Sequence, residues 1–136
     1  MNGVILDTDV FSILSDGRPE AEKFATCLYG VRTMLAFPSV AEVTHGAHLA
    51  RWGSRRMRGL EEAIASNVLL LPTMGLLRLC GQLRTKAVRR GHPLGHPLHA
   101  NDLWITACAA FYGVPLLTNN RRHFEGMPGI EVRSAP

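Results

Sequence analysis

Asp7, Glu42, Asp102 and Asn120 are the residues of this 136-residue chain whose types and settings best suit chemistry. Asp7 directly follows the apolar run G-V-I-L at 3–6, and a lone carboxylate at the end of a buried strand is costly unless it finds a partner. Glu42 lies one turn beyond a second apolar run at 33–37, and Asp102 begins the segment D-L-W-I. Thr118, Asn119 and Asn120 follow the apolar run 114–117 directly. Carboxylate oxygens are hard donors, and a site with a few of them and several waters suits Mg2+ or Mn2+. Two carboxylates ~4 Å apart at an effective dielectric of about 20 repel by about 4 kcal/mol. A cluster of three therefore raises its own pKa values or recruits a cation. A cation held by acids on a basic protein suits hydrolysis of a phosphodiester.

Such a site needs elements that bring these positions together. Short apolar runs at 3–6, 33–37, 68–71 and 114–117 read as buried strands, with a possible edge strand at 130–132. Between them lie helical patterns: 10–14 with Asp9 as cap, 19–30 starting at Pro19, a helix capped by Ser39, and a polar helix at 54–65. Two more follow at 73–90 and from Ala100 or Asn101 to Gly113, separated by a Gly/His/Pro loop at 91–99. Apolar runs alternating with amphipathic helices predict an α/β fold, a mostly parallel sheet of four to five strands flanked by helices. Ligands of such sheets bind beyond the carboxyl ends of the strands. That rule gathers Asp7, Glu42 and Asn120 at one edge. Asp102 joins them only if the 91–99 loop starts its helix there; otherwise it is an ordinary helix cap favoured by the dipole.

Length and composition fit this reading. The size is that of one domain, and 46% hydrophobic with 19% charged residues excludes a disordered tail, a collagenous chain or a disulfide miniprotein. No apolar run approaches the ~20 residues that span a bilayer, so a cytoplasmic protein without membrane contact is expected. Cys27, Cys80 and Cys108 are odd in number, form no C-x-x-C and read as small core residues. The net charge of +4 favours a polyanionic partner, and its cations are nearly all Arg, with Lys only at Lys23 and Lys86.

Four segments in order carry a resemblance: V-I-L-D-T-D-V-F near the start, P-S-V-A-E-V, N-D-L-W-I-T-A-C-A, and P-L-L-T-N-N-R-R-H-F-E-G-M-P-G-I near the end. With these spacings the chain resembles PIN-domain ribonucleases, specifically VapC toxins of type II toxin–antitoxin modules, over nearly its whole length. The resemblance implies one PIN-like three-layer domain spanning 1–136, with Asp7, Glu42 and Asp102 as the metal-binding and catalytic acids. Thr8 and Thr118 would support those acids. It implies Mg2+-dependent endonucleolytic RNA cleavage, with Mn2+ as a substitute and tRNA or ribosomal RNA as typical substrates. It also implies a homodimer and a cognate VapB-type antitoxin that covers the site. Many family members carry a fourth acid where this chain has Asn120, which leaves that side chain to hold a metal-bound water or a phosphate oxygen and leaves the metal count open.

Other features have competing readings. Arg121, Arg122 and His123 follow the site and either grip the RNA backbone or form a solvated basic turn. Arg51, Arg55, Arg56 and Arg58 bind phosphates or make a solvated face; Trp52 and Trp104 stack bases or pack. Glu42-x-x-His45 lacks the second pair that a di-iron helix site needs. His92, His96 and His99 lack an evident further zinc ligand and read as a loop that meets RNA or antitoxin. Two alternative functions remain: a PIN-like binding module without turnover, motivated by the missing fourth acid, and an aspartyl-phosphate phosphatase of the haloacid dehalogenase type with Asp7 as nucleophile. The latter needs a Lys after Thr118, which the chain lacks.

Overall fold

Gly3–Leu6 forms β1, and all four residues are buried, as an interior strand of a parallel sheet requires. The computed structural model describes residues 2–135. In chain order the further elements are α1 (Thr8–Ser15), a 3-10 segment (Pro19–Phe24), α2 (Ala25–Leu28), β2 (Arg32–Ala36), α3 (Phe37–Leu49) and α4 (Ser54–Ala65). Next come β3 (Val68–Leu70), α5 (Met74–Arg90), two 3-10 turns (Pro93–Gly95 and Pro97–His99), α6 (Ala100–Tyr112), β4 (Leu116–Leu117), α7 (Arg121–Phe124) and β5 (Val132–Arg133). The strands form one five-stranded sheet in the order β3-β2-β1-β4-β5, and every pairing is parallel. No helix among the described residues is long and apolar enough to cross a membrane.

Strand alternation builds the two cores. Ile5, Met34 and Leu116 face one layer, where they meet Leu76, Leu83 and Ile105 from α5 and α6. Their neighbours Leu6, Leu35 and Leu117 face the other, against Val10, Phe11 and Leu60 from α1 and α4. A period of two thus distributes each short strand between two helical layers. The result is the three-layer arrangement expected from the sequence. Cys80 and Cys108 are buried in the first core, and burial pushes the Cys108 thiol up to about 12.

Several boundaries differ from the sequence reading, each for a local reason. Asp7, not Asp9, caps α1: its backbone is extended, and its side chain accepts from the Thr8 N–H. Ser39 is not a cap; α3 begins two residues earlier, with Ala36 at the cap position and Pro38 in the first turn. Proline fits there because the first helical N–H groups have no partner within the helix. Ser39 is instead fully buried, and its hydroxyl pairs with that of Thr8 at 2.9 Å. The segment from Pro19 splits into a 3-10 stretch and one α-turn. The strand expected at 33–37 runs from Arg32 to Ala36, and the edge strand falls at Val132–Arg133. The 91–99 loop is ordered by two histidines: His92 Nδ1 accepts from the Leu94 N–H and His96 Nδ1 from the Leu98 N–H.

Candidate functional site

Strand register makes the first part of the site. Leu6 pairs with Leu117, so Asp7 and Thr118 leave the sheet side by side at its carboxyl edge. Thr118 Oγ1 donates to Asp7 Oδ2 at 2.7 Å, while the Thr8 N–H donates to Asp7 Oδ1 at 2.8 Å. The same Thr118 oxygen accepts from the Asn120 N–H at 2.9 Å, which ties the turn after β4 to the acid. Asp7 is only 8% exposed, and burial pushes its carboxyl above the ordinary value of 3.8. The Thr118 and Thr8 hydrogen bonds offset part of that rise, while the negative charges of Asp102 and Asp9 add to it.

Glu42 reaches the same edge from the second turn of α3. It is half-buried, and burial is again the main reason its carboxyl lies above the ordinary value of 4.5. The Asn101 side chain counters this, whereas Asp102, Asp7 and Asp9 raise it further. Asp102 stands in the first turn of α6, and its charge acts on both other acids. The two 3-10 turns start α6 at the carboxyl edge, so the structure brings Asp7, Glu42 and Asp102 near enough for their charges to act on one another. Among the described residues, only His99, Asp102 and His123 place three donor atoms within 4.8 Å of one another. Among the described residues no Lys or Arg forms an ion pair with any of them.

Among the described residues, the one side chain within ion-pair distance of the trio is a histidine, which carries charge only when protonated. His123 Nε2 lies 2.8 Å from Asp102 Oδ2, and the His99 ring stands edge-on to His123 with centroids 4.6 Å apart. His123 thus faces an acid of the site. Arg121 is paired with Glu125 at 3.0 Å, and Arg122 is exposed. Asn120 is exposed and reaches the acids through its backbone link to Thr118. Thr8 touches Asp7 through its N–H, its hydroxyl being engaged with Ser39.

Sequence reasoning missed Ser39, Asn101 and the placement of His99. His99 and Asp102 are three apart at a helix start, a spacing that puts side chains on one face, so the signal was there to find. Ser39 offered none, because its partner is remote in sequence.

A groove runs from Thr8, Ser12 and Glu42 past Ser15 and Asp16 to Trp52. There the Arg56 guanidinium carbon lies 3.7 Å from the Trp52 ring centroid. Trp104 instead packs edge-on against Phe37, with centroids 5.2 Å apart. Chemically, three acids without a Lys or Arg counterion are an all-oxygen donor set short of positive charge. A hard divalent cation fits that set on both donor type and charge.

Known proteins place this geometry in a family. A family model described as PIN domain matches residues 4–129. The chain is 26% identical over 129 residues to Ribonuclease VapC1 of Haemophilus influenzae (strain R2866), covering 93% of each. It is 28% identical over 129 residues to the tRNA(fMet)-specific endonuclease VapC of Salmonella typhimurium, covering 94% of each. Among solved structures, a chain of DNA-bound VapBC from Salmonella typhimurium superposes with a TM-score of 0.82 at 26% identity, covering 98% of both chains. The four sequence segments, the parallel sheet with acids at its carboxyl edge, and these likenesses agree: the chain belongs to the PIN-domain family.

Proposed function

We propose that this protein is the VapC-type toxin of a type II toxin–antitoxin module, a divalent-cation-dependent endoribonuclease that cleaves structured RNA. The observation that carries the reading is the convergence of Asp7, Glu42 and Asp102, uncompensated by Lys or Arg, at the carboxyl edge of the sheet. These three side chains are assigned to hold Mg2+, or Mn2+ in its place. A bound divalent ion would supply charge neutralisation at the scissile phosphate and a more acidic attacking water. Thr118 and the Thr8 N–H orient the Asp7 carboxylate. Asn120 sits where the PIN resemblance implies a fourth acid in many members, and its amide is assigned to a water or phosphate oxygen. The groove to Trp52 offers a path for the RNA, with Arg56 and the exposed Arg122 available to phosphates.

The relatives support a transfer RNA as the first substrate to try and a VapB-type antitoxin as partner. A homodimer in the cytoplasm completes the reading. The test uses purified, antitoxin-free protein with transfer and ribosomal RNA in Mg2+, Mn2+ or EDTA. Cleavage that requires the cation and disappears in Asp7→Asn and Asp102→Asn is expected. Binding of RNA without cleavage in either cation would overturn the nuclease and favour a binding module. In cells, growth arrest on induction, relieved by a small neighbouring reading frame, is the expected counterpart.

A further inference from the structure

His99, Asp102 and His123 each offer one donor atom, and these atoms all lie within 4.8 Å of one another. We propose that they form a binding site for a divalent transition-metal ion of the zinc class, distinct in chemistry from the all-oxygen site and sharing Asp102 with it. His99 sits at the cap position of α6 and Asp102 one turn further on, so both project from the start of one helix. His123 arrives from α7, after β4, with Nε2 2.8 Å from Asp102 Oδ2 and its ring centroid 4.6 Å from that of His99. All three are half-buried: screened enough to be held in place, open enough for an ion to reach.

The donor chemistry selects the ion. Two imidazole nitrogens and one carboxylate oxygen suit Zn2+, Ni2+ or Co2+, whereas Mg2+ prefers oxygen donors alone. Three protein ligands leave at least one position for water. Donors about 2.0–2.1 Å from a zinc ion stand roughly 3.0–3.4 Å apart. The 2.8 Å contact between His123 Nε2 and Asp102 Oδ2 must open slightly, and the longer separations within the 4.8 Å span of the triad must close, to admit the ion. The ion takes the place of the proton shared along that contact, which leaves to solvent. The remaining loop histidines are otherwise engaged, His92 on the Glu125 carbonyl and Leu94 N–H, His96 on the Leu98 N–H. Because Asp102 is shared, occupancy of this triad draws one of its oxygens away from Asp7 and Glu42. Where the nuclease reading holds, Zn2+ then inhibits Mg2+-supported cleavage; that consequence alone rests on the reading.

The experiment is a Co2+ titration of tag-free protein, followed by visible absorption and by displacement with Zn2+. One equivalent per chain is expected, bound in the presence of excess Mg2+. His99→Ala and His123→Ala should each weaken it by more than ~10-fold, the loss typical even of groups next to a ligand set. His48→Ala, on the exposed end of α3, should leave it unchanged. His99→Gln and His123→Gln repeat the test with less change in volume, and circular dichroism confirms their folding. No Co2+ spectrum in the wild type, or equal binding by the folded histidine variants, overturns the proposal. The readout is binding, so a failure of RNA cleavage leaves it standing.

Discussion

Asp7 does two jobs with one carboxylate. Oδ1 caps α1 and Oδ2 takes the Thr118 hydroxyl, so the side chain is fixed before any ligand arrives. Asparagine can keep both contacts, accepting from Thr8 and donating to Thr118, while it removes the charge. Asp7→Asn should therefore reduce RNA cleavage to background yet melt no lower than wild type in EDTA at neutral pH, as read by circular dichroism. The acids also set a pH dependence. A carboxyl whose pKa rises on folding binds its proton more tightly in the native state. Its contribution to stability is full below the ordinary value and is lost as pH climbs through the raised one. For Asp7 and Glu42 that window opens near 3.8 and 4.5 and extends upward. Metal-free protein should lose melting temperature across it, more than Asp7→Asn does, and Mg2+ should restore more at pH 7 than below the window. Thr118→Val removes the hydroxyl that holds Asp7 and should cost about 10–100-fold in cleavage or Mg2+ affinity, the usual loss for a group that orients a ligand.

At the scale of elements, the 91–99 segment decides whether α6 begins at the site. Its tight packing is visible at Gly95, where an added Cβ would lie 2.8 Å from the Val88 backbone nitrogen and 3.0 Å from its Cγ2. Backbone on the far side of that contact cannot give way cheaply. Gly95→Ala should destabilise the fold by about 1–3 kcal/mol, measurable by urea denaturation, and should weaken cleavage by displacing Asp102. Helices that carry long apolar patterns, such as α5 with Thr73 as cap and Gly91 beyond its end, were legible in the sequence. The starts of α1 and α3 were not. In α1 the residue that directly follows the strand caps the helix, and in α3 a proline sits inside the first turn rather than before it.

For the whole molecule, charge is divided rather than uniform. Three of its carboxylates share one edge of the sheet, which leaves the remaining surface more basic than the net +4 suggests. RNA binding by the Asp7→Asn protein should weaken linearly with salt on logarithmic axes, by about −0.7 per phosphate neutralised on a single strand. Arg122→Ala should make that slope shallower by one such step, whereas Arg121, paired with Glu125, should matter less. The sequence by itself determined the class of fold and the family resemblance, and through that resemblance it nominated Asp7, Glu42 and Asp102 as candidate acids. Alternating apolar runs and helical periods are local patterns, and each motif reads along a short stretch of chain. Only the tertiary structure decided that Asp102 stands at the carboxyl edge, that Thr118 holds Asp7, that Ser39 is buried against Thr8, and that His99 and His123 converge on Asp102. Those contacts join residues from separate elements. Sheet register and the packing of α6 and α7 fix them, and neither is written in the periodicity of any one segment.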